Sequence, residues 1–159
     1  MQKLGIVTII PKGDKDPRYL GNWRSLTLLN TFYKLISSVL ADRMKPILDI
    51  IIGGGQKSYI PGRYIGDVTR TTYDLFQYAK VNNLPGMILL VDFQKAFDSV
   101  SFNLLEITLE VFGFGPEYRK WISILLRGFN ACTVVNGNIS ERFAIKRGCR
   151  QGDPISGYF

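Results

Sequence analysis

The sequence predicts an α+β fold in which several helices accompany a small antiparallel sheet. Three observations lead there. Residues 4–10 are largely β-branched and are stopped by Pro11, the signature of a short strand. Several later segments repeat apolar residues at spacings of three and four, the helical period. Residues 131–135, the pair Asn136-Gly137 and residues 143–145 read as a β-hairpin, because Asn-Gly suits a tight hairpin turn. Helices and strands do not alternate regularly, which argues against a doubly wound sheet.

Each element has its own warrant. After the first strand, residues 11–24 carry Pro11, Gly13, Pro17 and Gly21 among several charges and read as a loop. A helix is expected from Asn30 to Asp49, with Phe32, Leu35, Ile36, Val39, Leu40 and Ile47 at helical spacing and Asn30 as its cap. Gly53-Gly54-Gly55 ends it, and residues 56–66 form a second loop. Asp67 is expected to cap a helix carrying Val68, Thr71, Leu75, Phe76 and Ala79. The run Asn82-Asn83-Leu84-Pro85-Gly86 is turn chemistry, and residues 87–91 then read as an apolar strand. Ser101 starts a helix with Leu104, Leu105, Leu109 and Phe112 on one side, closed by Gly113. Pro116 suits the first turn of the next helix.

Composition narrows the class. A chain of 159 residues with 46% hydrophobic content can bury a core and is not disordered. The net charge is +7, and residues 1–80 hold 12 Lys/Arg against 6 Asp/Glu while residues 81–159 hold 8 against 7. That bias suits a surface facing phosphates and equally a solvated surface, so charge alone does not decide between them. There is no histidine and there are two cysteines, Cys132 and Cys149, so neither a zinc site nor a disulfide framework is expected. Two reduced thiols suggest an intracellular compartment, nucleus and cytoplasm not being distinguished. No membrane association is expected, since no apolar run reaches a spanning length.

The stretch from Leu89 to Asp98 carries the chemistry. It delivers one carboxylate, Asp92, to the end of an apolar strand, where it needs a cation. A divalent metal is one candidate, since Mg²⁺ takes one or two carboxylates plus phosphate oxygens. Capping of the following helix, or pairing with Lys95, is the alternative. Asp98 is read as a helix-start residue favoured by the dipole, and Asp153 is given no chemistry.

Four motifs, in order and spacing, carry a resemblance. They are Ile9-Ile10-Pro11-Lys12 with Asn22-Trp23-Arg24 and Leu28-Leu29-Asn30; the segment from Gln56 to Arg63; Asp92-Phe93-Gln94-Lys95-Ala96-Phe97-Asp98; and the segment from Arg147 to Ser156. Together they resemble the reverse transcriptase domain of non-LTR (LINE-like) retrotransposons over nearly the whole chain. The resemblance implies the fingers (residues 1–86) and the first part of the palm (residues 87–159) of a right-hand polymerase, truncated before the third catalytic motif. It implies RNA-directed DNA synthesis from an RNA template, a DNA primer and deoxynucleoside triphosphates, with Mg²⁺ (or Mn²⁺) ions ~3.5–4 Å apart.

The same resemblance assigns roles. Asp92 is the catalytic metal carboxylate, and the main-chain carbonyl of Phe93 is a second metal ligand. Lys12 and Arg24 grip the triphosphate, Phe97 lies against the sugar as a steric gate, and Gln151 packs near the incoming nucleotide. Arg63, Arg147 and Arg150 face nucleic-acid phosphates. The sequence departs from the family where Arg24-Ser25-Leu26-Thr27 replaces the usual Arg-Pro-Ile-Ser, where Val68 follows Asp67, and at Gly157-Tyr158-Phe159. It contains no adjacent pair of aspartates, so this chain alone is expected not to polymerise without the rest of a palm and thumb from a longer polyprotein. A non-catalytic basic RNA- or DNA-binding module, or a decayed structural relic, are the alternatives.

Overall fold

A computed structural model describes residues 3–159, which divide into two compact units. One runs up to Arg43 and resumes at Lys95–Phe159; the other is Met44–Gln94.

The first unit is built on a five-stranded sheet. β1 (Leu4–Pro11) pairs antiparallel with β2 (Trp23–Leu29), in a register that sets Gly5 opposite Leu29 and Pro11 opposite Trp23. On its other side β1 runs parallel to β3 (Phe129–Val135). β3 in turn pairs antiparallel with β4 (Asn138–Ile139) and β5 (Phe143–Ile145). The expected antiparallel sheet is therefore mixed. The expected turn is present: Asn136 and Gly137 both have positive φ, 51° and 79°, the geometry that matches strand twist. It joins β3 to the short β4, which was not expected, and residues 143–145 pair with the start of β3, Phe129 opposite Ile145. β2 falls partly on the expected loop 11–24 and was not expected as a strand. Its sequence mixes Arg24, Ser25 and Thr27 with the apolar residues, so the alternation is weak, and its order comes from pairing along the whole of β1.

Helices supply most of the core. α1 (Thr31–Ile51) begins where Asn30 Oδ1 accepts from the Phe32 N–H at 2.8 Å, the expected cap. Tyr33 and Phe129 are each 1% exposed and meet edge to face at 5.7 Å. α3 is a single turn, Ala96–Ser99. α4 (Phe102–Val111) starts at Ser101, whose side chain accepts from the Leu104 N–H. α5 (Pro116–Leu126) places Pro116 in its first turn and buries Ile122, Leu125 and Leu126. Each such aliphatic side chain contributes roughly 1.5–3 kcal/mol of burial free energy.

The second unit holds the C-terminal turns of α1 and the helix α2 (Gly66–Val81). Ile65, not Asp67, occupies the cap position of α2, and Asp67 sits in the first turn, where its charge still complements the helix dipole. Among the described residues the expected strand 87–91 is not paired with any strand. Its apolar side chains lie open, Met87 at 91% and Leu90 at 89% exposure. A β-prone sequence becomes a strand only when a neighbouring edge takes its backbone groups. Among the described residues no helix is long and apolar enough to cross a membrane.

Candidate nucleotide-binding and catalytic site

In the first unit, a pocket of about 330 Å³ gathers residues from distant parts of the sequence. Lys12 comes from the end of β1, Trp23 and Arg24 from the start of β2, Lys95 and Asp98 from the α3 turn, and Gln151 from the loop after β5. β1 and β2 fix the first three by pairing Pro11 with Trp23 and Ile10 with Arg24. The Lys12 backbone N–H donates to the Asn22 carbonyl at 2.8 Å and its Nζ to the Gly21 carbonyl at 2.9 Å. Arg24 is exposed, and its guanidinium makes no hydrogen bond or ion pair among the described residues.

The loop that carries Gln151 is tied down at both ends. The Gly148 N–H donates to the Val100 carbonyl at 2.8 Å, and the Cys149 N–H to the Phe97 carbonyl at 2.6 Å. The Gln151 carbonyl accepts from the Thr27 N–H at 2.9 Å. Two glycines permit this approach. A Cβ on Gly148 (φ +90°) would stand 2.9 Å from the Asp98 carbonyl oxygen, and one on Gly152 (φ +106°) 2.8 Å from that of Thr27. Both positions demand a left-handed backbone and no side chain. Gln151 thus reaches the pocket on a loop stapled to β2 and to the α3 turn, and half-buried Phe97 belongs to that turn.

Arg150 is not on the surface. It is 5% exposed and stacks over the Phe129 ring, 3.7 Å from its centroid. Its Nη1 donates to the Tyr33 hydroxyl at 2.6 Å and its Nη2 to the Leu126 carbonyl at 3.0 Å. The Tyr33 hydroxyl donates a hydrogen bond to Asp153 Oδ2 at 3.0 Å, and the Ser37 hydroxyl donates to Asp153 Oδ1. The expectation that Arg150 joins Arg147 in a surface cluster is corrected: the guanidinium is consumed by a buried network, with Asp153 3.8 Å away as counter-charge. Sequence gave no sign of this, because alternate residues of an Arg-rich loop look alike until the loop is folded. Burial raises the Tyr33 hydroxyl far above its ordinary range, and Asp153 adds to the effect. Burial, then Asp153, pushes the Cys149 thiol up to about 11. Cys132 and Cys149 are both free and buried. Arg147 and Lys146 are exposed.

In the second unit, Arg63 is occupied by the end of α1. Its guanidinium donates to the carbonyls of Asp49, Ile52, Gly53 and Gln56 at 2.7–3.0 Å and pairs with Asp49 Oδ1 at 2.9 Å. These include carbonyls that a helix end leaves unpaired. Asp92 and Phe93 are exposed in this unit, and the Asp92 carboxylate has no hydrogen bond or ion pair among the described residues. One carboxylate and one main-chain carbonyl suit a hard cation that completes its shell with water and phosphate. No group of three acidic, cysteine or histidine side chains that could close a metal site is found among the described residues. The donor set therefore fits part of a Mg²⁺ or Mn²⁺ shell and not a closed protein cage.

Fold and pocket define a basic α+β domain whose convergent cations suit a polyphosphate. Residues 10–159 match the family described as reverse transcriptase (RNA-dependent DNA polymerase). The chain is 32% identical over 152 residues to the transposon TX1 uncharacterized 149 kDa protein of Xenopus laevis, covering 96% of this chain and 12% of that one. It is 29% identical over 154 residues to a retrovirus-related Pol polyprotein from type-1 retrotransposable element R2 of Popillia japonica, covering 94% of this chain and 21% of that one. The chain belongs to the reverse transcriptase family, in its non-LTR, LINE-like branch. It spans about an eighth and a fifth of the length of these two relatives.

Proposed function

We propose that the chain forms the fingers and the first part of the palm of an RNA-directed DNA polymerase, and that its pocket receives the triphosphate of an incoming deoxynucleotide. The observation that carries this reading is the meeting of Lys12, Arg24 and Gln151 in one pocket. Arg24 offers a planar fork for phosphate oxygens and Lys12 a point charge. Phe97, in the turn that the Cys149 N–H braces, is the residue set against a ribose 2′-hydroxyl, which it rejects by contact. Asp92 and the Phe93 carbonyl supply protein oxygens to a Mg²⁺ or Mn²⁺ ion, whose chemistry when bound is to stabilise the attacking and leaving oxygens. Arg147 faces the phosphates of template or primer.

Asp92 is one member of the carboxylate set that two ions require, and the sequence offers no adjacent aspartate pair. Polymerisation accordingly belongs to a longer polypeptide that completes palm and thumb. Trp23 lines the pocket, so its fluorescence reports occupancy. Titration with dTTP in Mg²⁺ should perturb the emission saturably, and Arg24→Ala should weaken the affinity roughly tenfold or more. An unresponsive wild-type chain, checked by calorimetry, removes the nucleotide reading.

A further inference from the structure

The pocket also holds Lys95, a member of the third motif to which the resemblance assigns no role. Lys95 stands at φ 53°, ψ 42°, in the left-handed region, immediately before α3. Glycine adopts that backbone at no steric cost and asparagine at little; a lysine there carries strain from its Cβ. Nothing in the backbone geometry calls for a long cationic side chain. Strain of this kind persists where a side chain has a use. Lys95 lines the same pocket as Lys12, Arg24 and Gln151. Its ammonium has no hydrogen bond or ion pair among the described residues, whereas that of Lys12 donates to Gly21. Among the described residues Asp98 is the one carboxylate lining the pocket, and it opposes an anion. Lys12 and Arg24 give a margin of one positive charge over it; Lys95 makes the margin two. A monophosphate is served by the first two cations, and a chain of three phosphates has charge left for a third.

We propose that Lys95 is a specificity-determining residue of this pocket, selecting nucleoside triphosphate over monophosphate by engaging the outer phosphates of the chain. The proposal rests on the nucleotide reading above and adds a residue and a selectivity to it.

The test compares wild type, Lys95→Gly, Lys95→Arg and Arg24→Ala, titrated with dTTP and with dTMP in Mg²⁺ and followed by calorimetry. Lys95→Gly relieves the left-handed backbone, so its urea midpoint should equal or exceed that of wild type. Its affinity for dTTP should nevertheless fall roughly tenfold while that for dTMP stays nearly constant. Lys95→Arg should keep most of the triphosphate preference, a rescue that a merely structural role would not show. Lys95→Asn, which also tolerates this backbone, replaces the glycine variant should that one lose its fold. If Arg24→Ala loses dTTP while Lys95→Gly binds it as wild type does, the assignment to Lys95 is overturned and the nucleotide pocket stands. If wild type binds neither nucleotide, both fall.

Discussion

The residues that decide stability here are cations used as internal fasteners. Arg150 and Asp153 are buried together with Tyr33 and Ser37, and removing one member strands the rest without water. Arg150→Met should cost about 3–5 kcal/mol, read as a lowered urea midpoint with an unchanged slope. Arg63→Ala frees carbonyls at the end of α1 and should cost about 1–3 kcal/mol. Cys149 gives this network a pH signature. Its thiol is raised from an ordinary 9.0 to about 11, so the unfolded chain ionises first as pH climbs. The contribution is fully present below about 9, is lost as pH rises through about 11, and amounts to roughly 2–3 kcal/mol. Tyr33, shifted in the same direction, extends the loss to higher pH. Denaturation at pH 8 and pH 11 should show it, and a pH-independent midpoint would remove Cys149 and Tyr33 from the account. None of these roles was legible in the sequence. Arg63, Arg150 and Asp153 lie in motifs whose residue types suit phosphates and turns equally well, and only folding shows which guanidinium faces inward.

At the scale of elements, periodicity carried the helices and pairing decided the strands. α1, α4 and α5 start where Asn30, Ser101 and Pro116 indicate, because those residues satisfy or forgo the first backbone donors locally. β2 and the parallel partnership of β1 with β3 depend on neighbours remote in sequence, which no local pattern records. Residues 87–91 show the converse: a strand-like sequence with no strand beside it among the described residues. Their amides should therefore exchange with solvent orders of magnitude faster than those of β1 and β3, a contrast that hydrogen-exchange mass spectrometry reads directly. The loop 148–152 had a partial signal in its two glycines. Gly152→Ala puts a Cβ 2.8 Å from the Thr27 oxygen at φ +106°, so we expect a loss of about 1–3 kcal/mol. Displacement of Gln151 should weaken dTTP binding beyond what the lost stability explains, as seen in titrations well below the melting temperature.

For the whole molecule the question is whether a charge of +7 is spread as solvation or organised as a binding surface. Not all of it is available: Arg150 is buried, Arg63 is engaged by α1, and Arg18, Arg70, Arg119 and Arg127 each pair with a carboxylate. Arg24, Lys95, Lys146 and Arg147 make no ion pair among the described residues. If three or four cations of this kind neutralise phosphates, log K against log salt falls with a slope of about −2.7 to −3.6. A rise from 50 to 200 mM salt then weakens binding to an RNA–DNA hybrid by roughly 40- to 150-fold, measurable by fluorescence anisotropy. Arg147→Ala should reduce the slope by about one without regard to sequence. Arg63→Ala should leave it unchanged, because donors spent on α1 release no counterions; a drop of about one would instead return Arg63 to the nucleic-acid face. A slope near zero for the wild-type chain would mean that its positive charge is solvated surface and not a phosphate-binding face.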